Sequence, residues 1–119
     1  MAITGTKDQL LINLMSASTK RFKVLSTNLS NQSTPGYVRS TVAFEDLLAS
    51  ELQERKPDLL SVTPEVIEDT LTPGSPDGNN VNPELEMNGL MQNRLQFELY
   101  TTLLAGRMEL LRTAIDGGR

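Results

Sequence analysis

Apolar residues recur at alternating intervals of four and three near the start of the chain. Over residues 7–31 they form a heptad seam, which only Ser18 interrupts. Thr6 and Gln9 have the spacing of a capping box, and Pro35 stops any helix. The pattern predicts one long amphipathic helix. The apolar seam positions are Leu11, Met15, Phe22, Leu25 and Leu29.

A second heptad seam ends the chain. Asn82 is a good N-cap, Pro83 suits a first helical position, and a helix can run from there to about residue 115 before Gly117 and Gly118. We expect the apolar positions of the first seam to meet the regular half of the second seam in an antiparallel or staggered coiled-coil-like pair. Arg94 and Thr101 interrupt the first half of the second seam. Its regular half consists of Leu104, Met108, Leu111 and Ile115.

The middle of the chain has a different character. Residues 41–83 carry nine acidic and two basic side chains, and four of the six prolines lie between residues 57 and 76. Phe44, Leu47, Leu48 and Leu52 predict a short helix at about 43–54. Short β-branched stretches predict a hairpin of residues 60–62 with 66–71, and the Pro and Gly residues of 73–80 predict a mobile loop.

The predicted fold class is therefore mostly all-α, with an irregular acidic middle between two long terminal helices. We divide the chain into an N-terminal assembly helix (1–33), a turn and flexible middle (34–83) and a C-terminal assembly helix (84–119). The two helices are expected to form one structural unit. Because two helices bury little surface by themselves, we expect further copies or a partner to cover the rest.

The chain lacks the side chains that most active sites use. It has no His and no Cys, so the commonest general base and metal ligand are missing. We interpret Glu65, Glu68 and Asp69 as solvated charges, and residues 77–80 as a turn without the distal Glu of a calcium loop. No catalytic, cofactor-binding or metal-binding residues are predicted, and no small-molecule ligand.

Charge and hydropathy limit the classes of partner that we expect. The net charge of −4 argues against nucleic acid. Residues 1–40 carry a net charge of +4 (five basic, one acidic), which fits either a solvated surface or a basic end that meets the acidic middle of another copy. The first fifteen residues lack the basic n-region of a Sec signal peptide, and no apolar run is long enough to span a membrane.

Two segments resemble the flagellar rod and hook axial protein family. The family pattern Leu-x-x-Asn-Ile/Leu-Ala-Asn-x-x-Thr-Pro-Gly-Tyr is matched from Leu25 onwards, with Ser30 in place of the usual Ala. A second match is similar to short proximal rod subunits of that family and includes Glu86 and Met87. The residues that carry the resemblance are Asn28, Asn31, Thr34, Pro35, Gly36, Tyr37, Asp77, Gly78, Asn79, Asn80 and Val81.

The resemblance implies a structural, non-enzymatic subunit of the periplasmic rod in the bacterial flagellar basal body. Such subunits polymerise through their terminal helices into the drive shaft that transmits torque for motility. The implied partners are copies of this chain, other flagellar rod proteins, membrane-ring or export-gate proteins, and the flagellar type III export apparatus. That export route fits the absence of a Sec signal.

Two questions stay open at this point. A soluble helical adaptor or chaperone that binds a partner helix would explain the heptads equally well, although not the two motifs. Asn28 and Asn31 fit either local capping of their own helix or hydrogen bonds to a neighbouring helix or the following turn. For that turn, Thr34 to Tyr37, Pro in second and Gly in third position predict type II geometry.

Overall fold

Two long helices dominate the chain. A computed structural model describes residues 5–117; the outer ends of the predicted terminal segments, residues 1–4 and 118–119, lie outside the described residues. The mostly helical fold class is confirmed, as is the presence of a small sheet. In chain order the elements are α1 (Thr6–Ser30), β1 (Ser40–Ala43), α2 (Glu45–Leu52), a 3₁₀ turn (Leu59–Ser61), β2 (Glu65–Glu68) and α3 (Pro83–Gly117).

The helix starts follow local sequence, with one correction. The Asn82 side chain accepts hydrogen bonds from the backbone N–H groups of Glu84 (3.0 Å) and Leu85 (3.4 Å), as an N-cap does. At α1 the predicted Thr6 cap is wrong. The helix already includes Thr6, and its N-cap is Gly5. The carboxylate of Asp8, three residues on, accepts a hydrogen bond from the N–H of Gly5 (3.3 Å), as the acidic residue of a capping box does.

α1 and α3 run antiparallel. Three side-chain contacts fix their register: Asn28 to Glu86, Asn93 to Ser18, and Arg107 to Asp8. α3 has 35 residues and α1 has 25, so residues 108–117 extend past the level of Asp8.

This register changes the predicted seam pairing. Leu25 is buried against Gly89, and the approach is so close that a side chain added at Gly89 would place its Cβ 3.2 Å from Leu25 Cδ1. Leu25 and Leu29 therefore lie opposite the first turns of α3 and do not meet residues 104–115, because Asn28 is fixed at the level of Glu86. In the first half of α3 the buried position is Asn93, whereas the neighbouring Arg94 side chain is 82% exposed.

The sheet pairs different segments from those predicted. β1 and β2 are antiparallel, with Ser40 opposite Glu68 and Ala43 opposite Glu65. The predicted first strand, residues 60–62, is wrong. It overlaps the 3₁₀ turn, where the N–H of Ser61 bonds to the carbonyl of Asp58 (3.3 Å). Pro64 follows residues 61–63 directly and leaves little room for a strand there. β1 is instead held beside α1, because side chains of α1 donate hydrogen bonds to the backbone carbonyls of β1.

The interior is small and largely polar. Among residues 5–117 the buried apolar side chains are four, Ala17, Leu25, Val42 and Phe44, while eight buried residues are polar or charged. The molecule measures 68 × 32 × 16 Å, which is little more than one helix layer thick. Hydrogen bonds and ion pairs must therefore provide much of the specificity that an apolar core usually provides.

We expect Phe44→Ala to be strongly destabilising. Phe44 is fully buried, and truncating a buried Phe to Ala costs about 3–5 kcal/mol because it leaves a cavity. Urea denaturation followed by circular dichroism measures the loss. Leu52→Ala, at a position 59% exposed in the helix that Phe44 precedes, is the control and should change the free energy of unfolding by about 0.5 kcal/mol or less.

Candidate functional site

The buried amide of Asn28 joins three parts of the chain. Its Oδ1 accepts hydrogen bonds from the N–H of Ser40 (2.9 Å) and the hydroxyl of Tyr37 (3.3 Å). Its Nδ2 donates to the carbonyl of Ser40 (2.7 Å) and to Glu86 Oε2 (3.2 Å). These four bonds use its full capacity. Of the two interpretations, contact with the neighbouring helix and the segment after the turn holds for Asn28.

Asn31 takes the other interpretation and caps its own helix. Its Nδ2 donates to the carbonyl of Thr27 (2.8 Å), and its Oδ1 accepts from the hydroxyl of Thr34 (3.0 Å). The N–H of Tyr37 bonds to the carbonyl of Thr34 (3.2 Å), and Gly36 has φ +73°. With Pro35 in second position, this is the predicted type II turn, which needs Gly where φ is positive.

The chain leaves this turn towards a buried ion pair. Arg39 Nε donates to Glu86 Oε1 (2.5 Å), and a terminal guanidinium nitrogen of Arg39 donates to Asp69 Oδ2 (2.5 Å). Glu86 is fully buried and Arg39 nearly so. The hydrogen bonds that Arg39 donates to the Glu86 carboxylate are the main reason why the pKa of Arg39 is raised. The pair connects the start of α3 with the segment that follows the turn.

Asp69 is part of the same cluster, so its interpretation as a solvated charge is wrong. Its Oδ1 accepts from the N–H groups of Leu71 (3.0 Å) and Thr72 (3.1 Å), and its Oδ2 accepts from the Thr72 hydroxyl (2.5 Å). Hydrogen bonds from Thr72 and then Arg39 hold the pKa of Asp69 well below its usual range. The partner Arg39 lies thirty residues away, which no local pattern reveals.

The second family motif begins as a turn. Gly78 has φ +90°, and Asp77 Oδ1 accepts from the N–H of Asn79 (3.0 Å). Asn79 is buried, and its Nδ2 donates to the carbonyls of Asn31 (2.9 Å) and Thr34 (2.7 Å). Asn79 thereby binds backbone carbonyls at the C-terminal end of α1, although it is distant from that helix in the sequence.

The side-chain amide of Asn80, the next residue, also binds the backbone of two other segments. Its Oδ1 accepts from the N–H of Arg39 (2.7 Å) and its Nδ2 donates to the carbonyl of Asp69 (2.7 Å). The N–H of Val81 bonds to Asn79 Oδ1 (2.8 Å). The loop predicted to be mobile therefore ends in two buried amides that bind three backbone segments. We call the cluster of Asn28, Arg39, Asp69, Asn79, Asn80 and Glu86 the polar junction.

Sequence reasoning identified the three asparagines of the polar junction but missed the roles of its charged members. Arg39 is the only basic residue between Lys23 and Arg55, and such an isolated charge beside a predicted turn was an available signal. Glu86 was noted only as part of a motif. Its burial follows from the register of α1 and α3, which tertiary packing determines.

The predicted packing residues are placed unevenly. Leu25 is buried, whereas Phe22 and Ile115 are 57% and 59% exposed. The others are half-buried along the inner faces of α1 and α3: Leu11, Met15, Leu29, Leu104, Met108 and Leu111. Their role in assembly stays a prediction.

α3 carries an exposed apolar stripe to one side of its contact with α1. At 3.6 residues per turn its five leucines fall within an arc of about 80°, roughly a third of a turn from Asn93. Their exposed fractions run from 44% to 72%. We call this stripe the leucine ridge; it consists of Leu85, Leu95, Leu99, Leu103 and Leu110. A helix that is apolar on two faces is normally covered on both.

The other side of α3 forms an apolar groove with α1. The groove encloses about 450 Å³, and among residues 5–117 neither Ser18 Oγ nor Asn93 Oδ1 has a hydrogen-bond partner although both are buried. Its walls and floor are formed by Ser18, Thr19, Phe22, Leu90, Met91, Asn93, Arg94 and Phe97. No helix in the described part of the chain has the length and apolar composition of a membrane span.

These features define an elongated helical protein with a polar junction at one end and exposed apolar sides. No protein-family model matches the chain. Curated relatives do match, and each is named flagellar basal body rod protein FlgB. The Borrelia hermsii protein is 33% identical over 104 residues, which cover 71% of this chain and 77% of the relative. The Bacillus subtilis protein is 29% identical over 129 residues and both full lengths, and the Aeromonas hydrophila protein is 26% identical over 116 residues and 87% of each.

The chain therefore belongs to the FlgB family of flagellar basal body rod proteins. These relatives confirm the resemblance to the rod proteins of the flagellar axial family.

Arg39→Met should destabilise the fold by about 3–5 kcal/mol, because it leaves the buried carboxylate of Glu86 without its cation. Urea unfolding measures the loss. Arg94→Met is the matched control, since the Arg94–Glu98 pair is exposed and should contribute about 0.5 kcal/mol or less. A loss for Arg39→Met no greater than that of the control would contradict the role given to the pair.

The stability that Asp69 contributes should depend on pH. Its folded pKa is lowered, so its contribution is fully present above the unfolded value of about 3.9 and is lost as the pH falls below it. We expect Asp69→Asn to be less stable than the parent at pH 6, with the gap narrowing towards pH 2.5. Thermal unfolding at both pH values tests this, with Glu68→Gln at an exposed position as control.

Proposed function

We propose that this chain is a structural subunit of the bacterial flagellar basal body rod that polymerises through its terminal helices. The leucine ridge supports this most directly. It leaves five exposed leucines along one side of a helix whose neighbouring face is already packed, and a stable monomer rarely exposes such a surface without a partner. Membership of the rod protein family agrees with this use of the stripe.

In this proposal the two terminal segments, residues 1–33 and 84–119, act as one assembly unit, and the middle region is what each subunit displays. A shaft that transmits torque must be stiff. Thin two-helix subunits gain stiffness when dense helix packing between copies replaces the core that each lacks. The role is non-enzymatic, and the partners are other copies, other rod proteins and the basal-body components at the ends of the rod.

The polar junction has a supporting role. It fixes the start of α3 against the end of α1 through buried hydrogen bonds, so the angle between the helices is set before any contact with a neighbour. A subunit whose helices are held in one geometry loses less conformational freedom when it joins an assembly. The proposal therefore assigns assembly to the exposed helix sides and preorganisation to the junction.

Leu99→Asp with Leu103→Asp should abolish assembly and motility. Each leucine buried in a contact contributes about 1.5–3 kcal/mol, so the pair should weaken association by about 100-fold or more. Swimming in soft agar and electron microscopy of isolated basal bodies measure the effect in the bacterium that encodes the chain.

The control makes the same substitutions outside the terminal helices. Leu52→Asp with Leu71→Asp changes two exposed leucines of the middle region, so motility should persist. Circular dichroism should show the helix content of both variants to be unchanged. Normal motility of the ridge variant would contradict the proposal. A soluble adaptor of fixed stoichiometry would instead show one concentration-independent species in sedimentation velocity.

A further inference from the structure

We propose that the outer edge of β2 binds an extended segment of another protein, which adds to the sheet as a third, antiparallel strand. In this contact one basic side chain of the added strand lies opposite Glu65 and another lies opposite Glu68. We define the outer edge of β2 as the backbone N–H and C=O groups of Val66 and Glu68. The contact is separate from assembly through the terminal helices, because it gives the middle region a partner of its own.

The register of the sheet determines where these backbone groups point. The N–H of Asp69 bonds to the carbonyl of Arg39 (2.8 Å), and the next pair is Ser40 with Glu68. Because hydrogen-bonded and non-hydrogen-bonded pairs alternate in an antiparallel ladder, Val66 and Glu68 direct their N–H and C=O groups away from β1. Among residues 5–117 no backbone group bonds to them, and β2 is exposed along its whole length.

The two edges of the sheet differ. The outer edge of β1 is closed by side chains of α1. Asn28 bonds to both the N–H and the carbonyl of Ser40, and Arg21 donates to the carbonyl of Val42 (3.1 Å). In the described part of the chain no side chain takes that place at β2. An open strand edge is a template for a further strand, and addition of an extended peptide to such an edge is a common mode of recognition.

The charges of β2 determine which strand can be added. Glu65 and Glu68 are exposed, and within residues 5–117 neither forms an ion pair. The same strand of a second copy would place glutamates at opposite or diagonal positions, which is destabilising, whereas basic residues there are stabilising. In this sequence two basic residues with the required spacing of three occur once, at Lys20 and Lys23, which lie in α1. The occupant is therefore a basic strand of another protein.

The antiparallel register also gives the sequence pattern of the added strand. The residue opposite Val66 lies on the same face of the sheet as Val66. A cavity of about 200 Å³ opens there between Val66 and the α1 residues Val24 and Thr27, which favours an apolar β-branched side chain. From its N-terminus the pattern is basic, any strand former, apolar, basic, with the basic residues opposite Glu68 and Glu65 in that order.

A synthetic peptide tests the contact. The acetylated and amidated hexapeptide Thr-Lys-Thr-Val-Lys-Thr carries the pattern, and Thr-Glu-Thr-Val-Glu-Thr is its matched control. Each is titrated into the purified full chain, and backbone amide signals are followed by NMR. We expect saturable shifts at Val66 and Glu68 with the lysine peptide. The glutamate peptide should bind about tenfold more weakly or worse, because both ion pairs become like-charge contacts. No binding of the lysine peptide, or shifts only elsewhere, would overturn the proposal.

Backbone methylation of the peptide separates strand addition from attraction of charge alone. In the added strand the N–H groups of the first Lys and of Val face β2, whereas those of the central Thr and the second Lys face away. N-methylation of the first two should weaken binding by about tenfold or more, because two hydrogen bonds are lost. N-methylation of the other two should change the affinity little. Equal losses for the two patterns would contradict strand addition.

A charge reversal tests the two glutamates from the side of the protein. Glu65→Lys with Glu68→Lys should reverse the preference, so that the glutamate peptide binds more tightly than the lysine peptide. Glu84→Lys with Glu109→Lys makes the same change in net charge at exposed positions of α3 and should keep the original preference. An unchanged preference in the first variant would overturn the role given to Glu65 and Glu68.

Val66→Pro tests the edge itself and the possibility of a second copy. Proline is tolerated on an edge strand where the N–H faces solvent, so the sheet should persist while peptide binding falls. Circular dichroism checks the fold, and the N-methylated peptides test the same bonds without changing the chain. We expect Val66→Pro to sediment as the parent does in the absence of peptide. Self-association of the parent that Val66→Pro abolishes would show that a second copy occupies the edge and would overturn the proposal, as would undiminished peptide binding.

Discussion

The ion pair between Arg39 and Glu86 is the interaction on which the fold depends. Glu86 is fully buried in the first turns of α3, and Arg39 is buried just after the turn that ends α1. Neither charge is tolerable in the interior without the other. The pair therefore holds the segment that follows α1 against the start of α3, and Asp69 adds the residue after β2 to the same place.

The molecule has two parts that are held together by different interactions. Near the junction, buried amides and charges define one geometry, because each hydrogen-bonding group has a specific partner. Further along α1 and α3 the contact is a single line of half-buried side chains, and much apolar surface stays exposed. The first part determines how the helices are set, and the second carries the surfaces that the proposed assembly uses.

The residues that carry the family resemblance are mostly structural. Asn28, Asn79 and Asn80 are buried and bind backbone groups of other segments. Gly36 and Gly78 provide the positive φ angles of two turns. These specific hydrogen bonds matter because the apolar core is small. With four buried apolar side chains among residues 5–117, the geometry must be defined by other interactions. The exposed leucines, which belong to neither motif, are better placed to contact other subunits.

The sequence by itself determined the two terminal helices, the Asn82 cap, the type II turn and the family. Each depends on residues close together in the chain: heptad spacing, capping side chains, and Pro followed by Gly. Only the tertiary structure decided which strand pairs with β2, which seam residues oppose each other, and that Asp69 is paired instead of solvated. Those outcomes depend on the register of α1 and α3. That register is fixed by contacts such as that of Asn28 with Glu86, fifty-eight residues apart, and no local spacing records a contact over that distance.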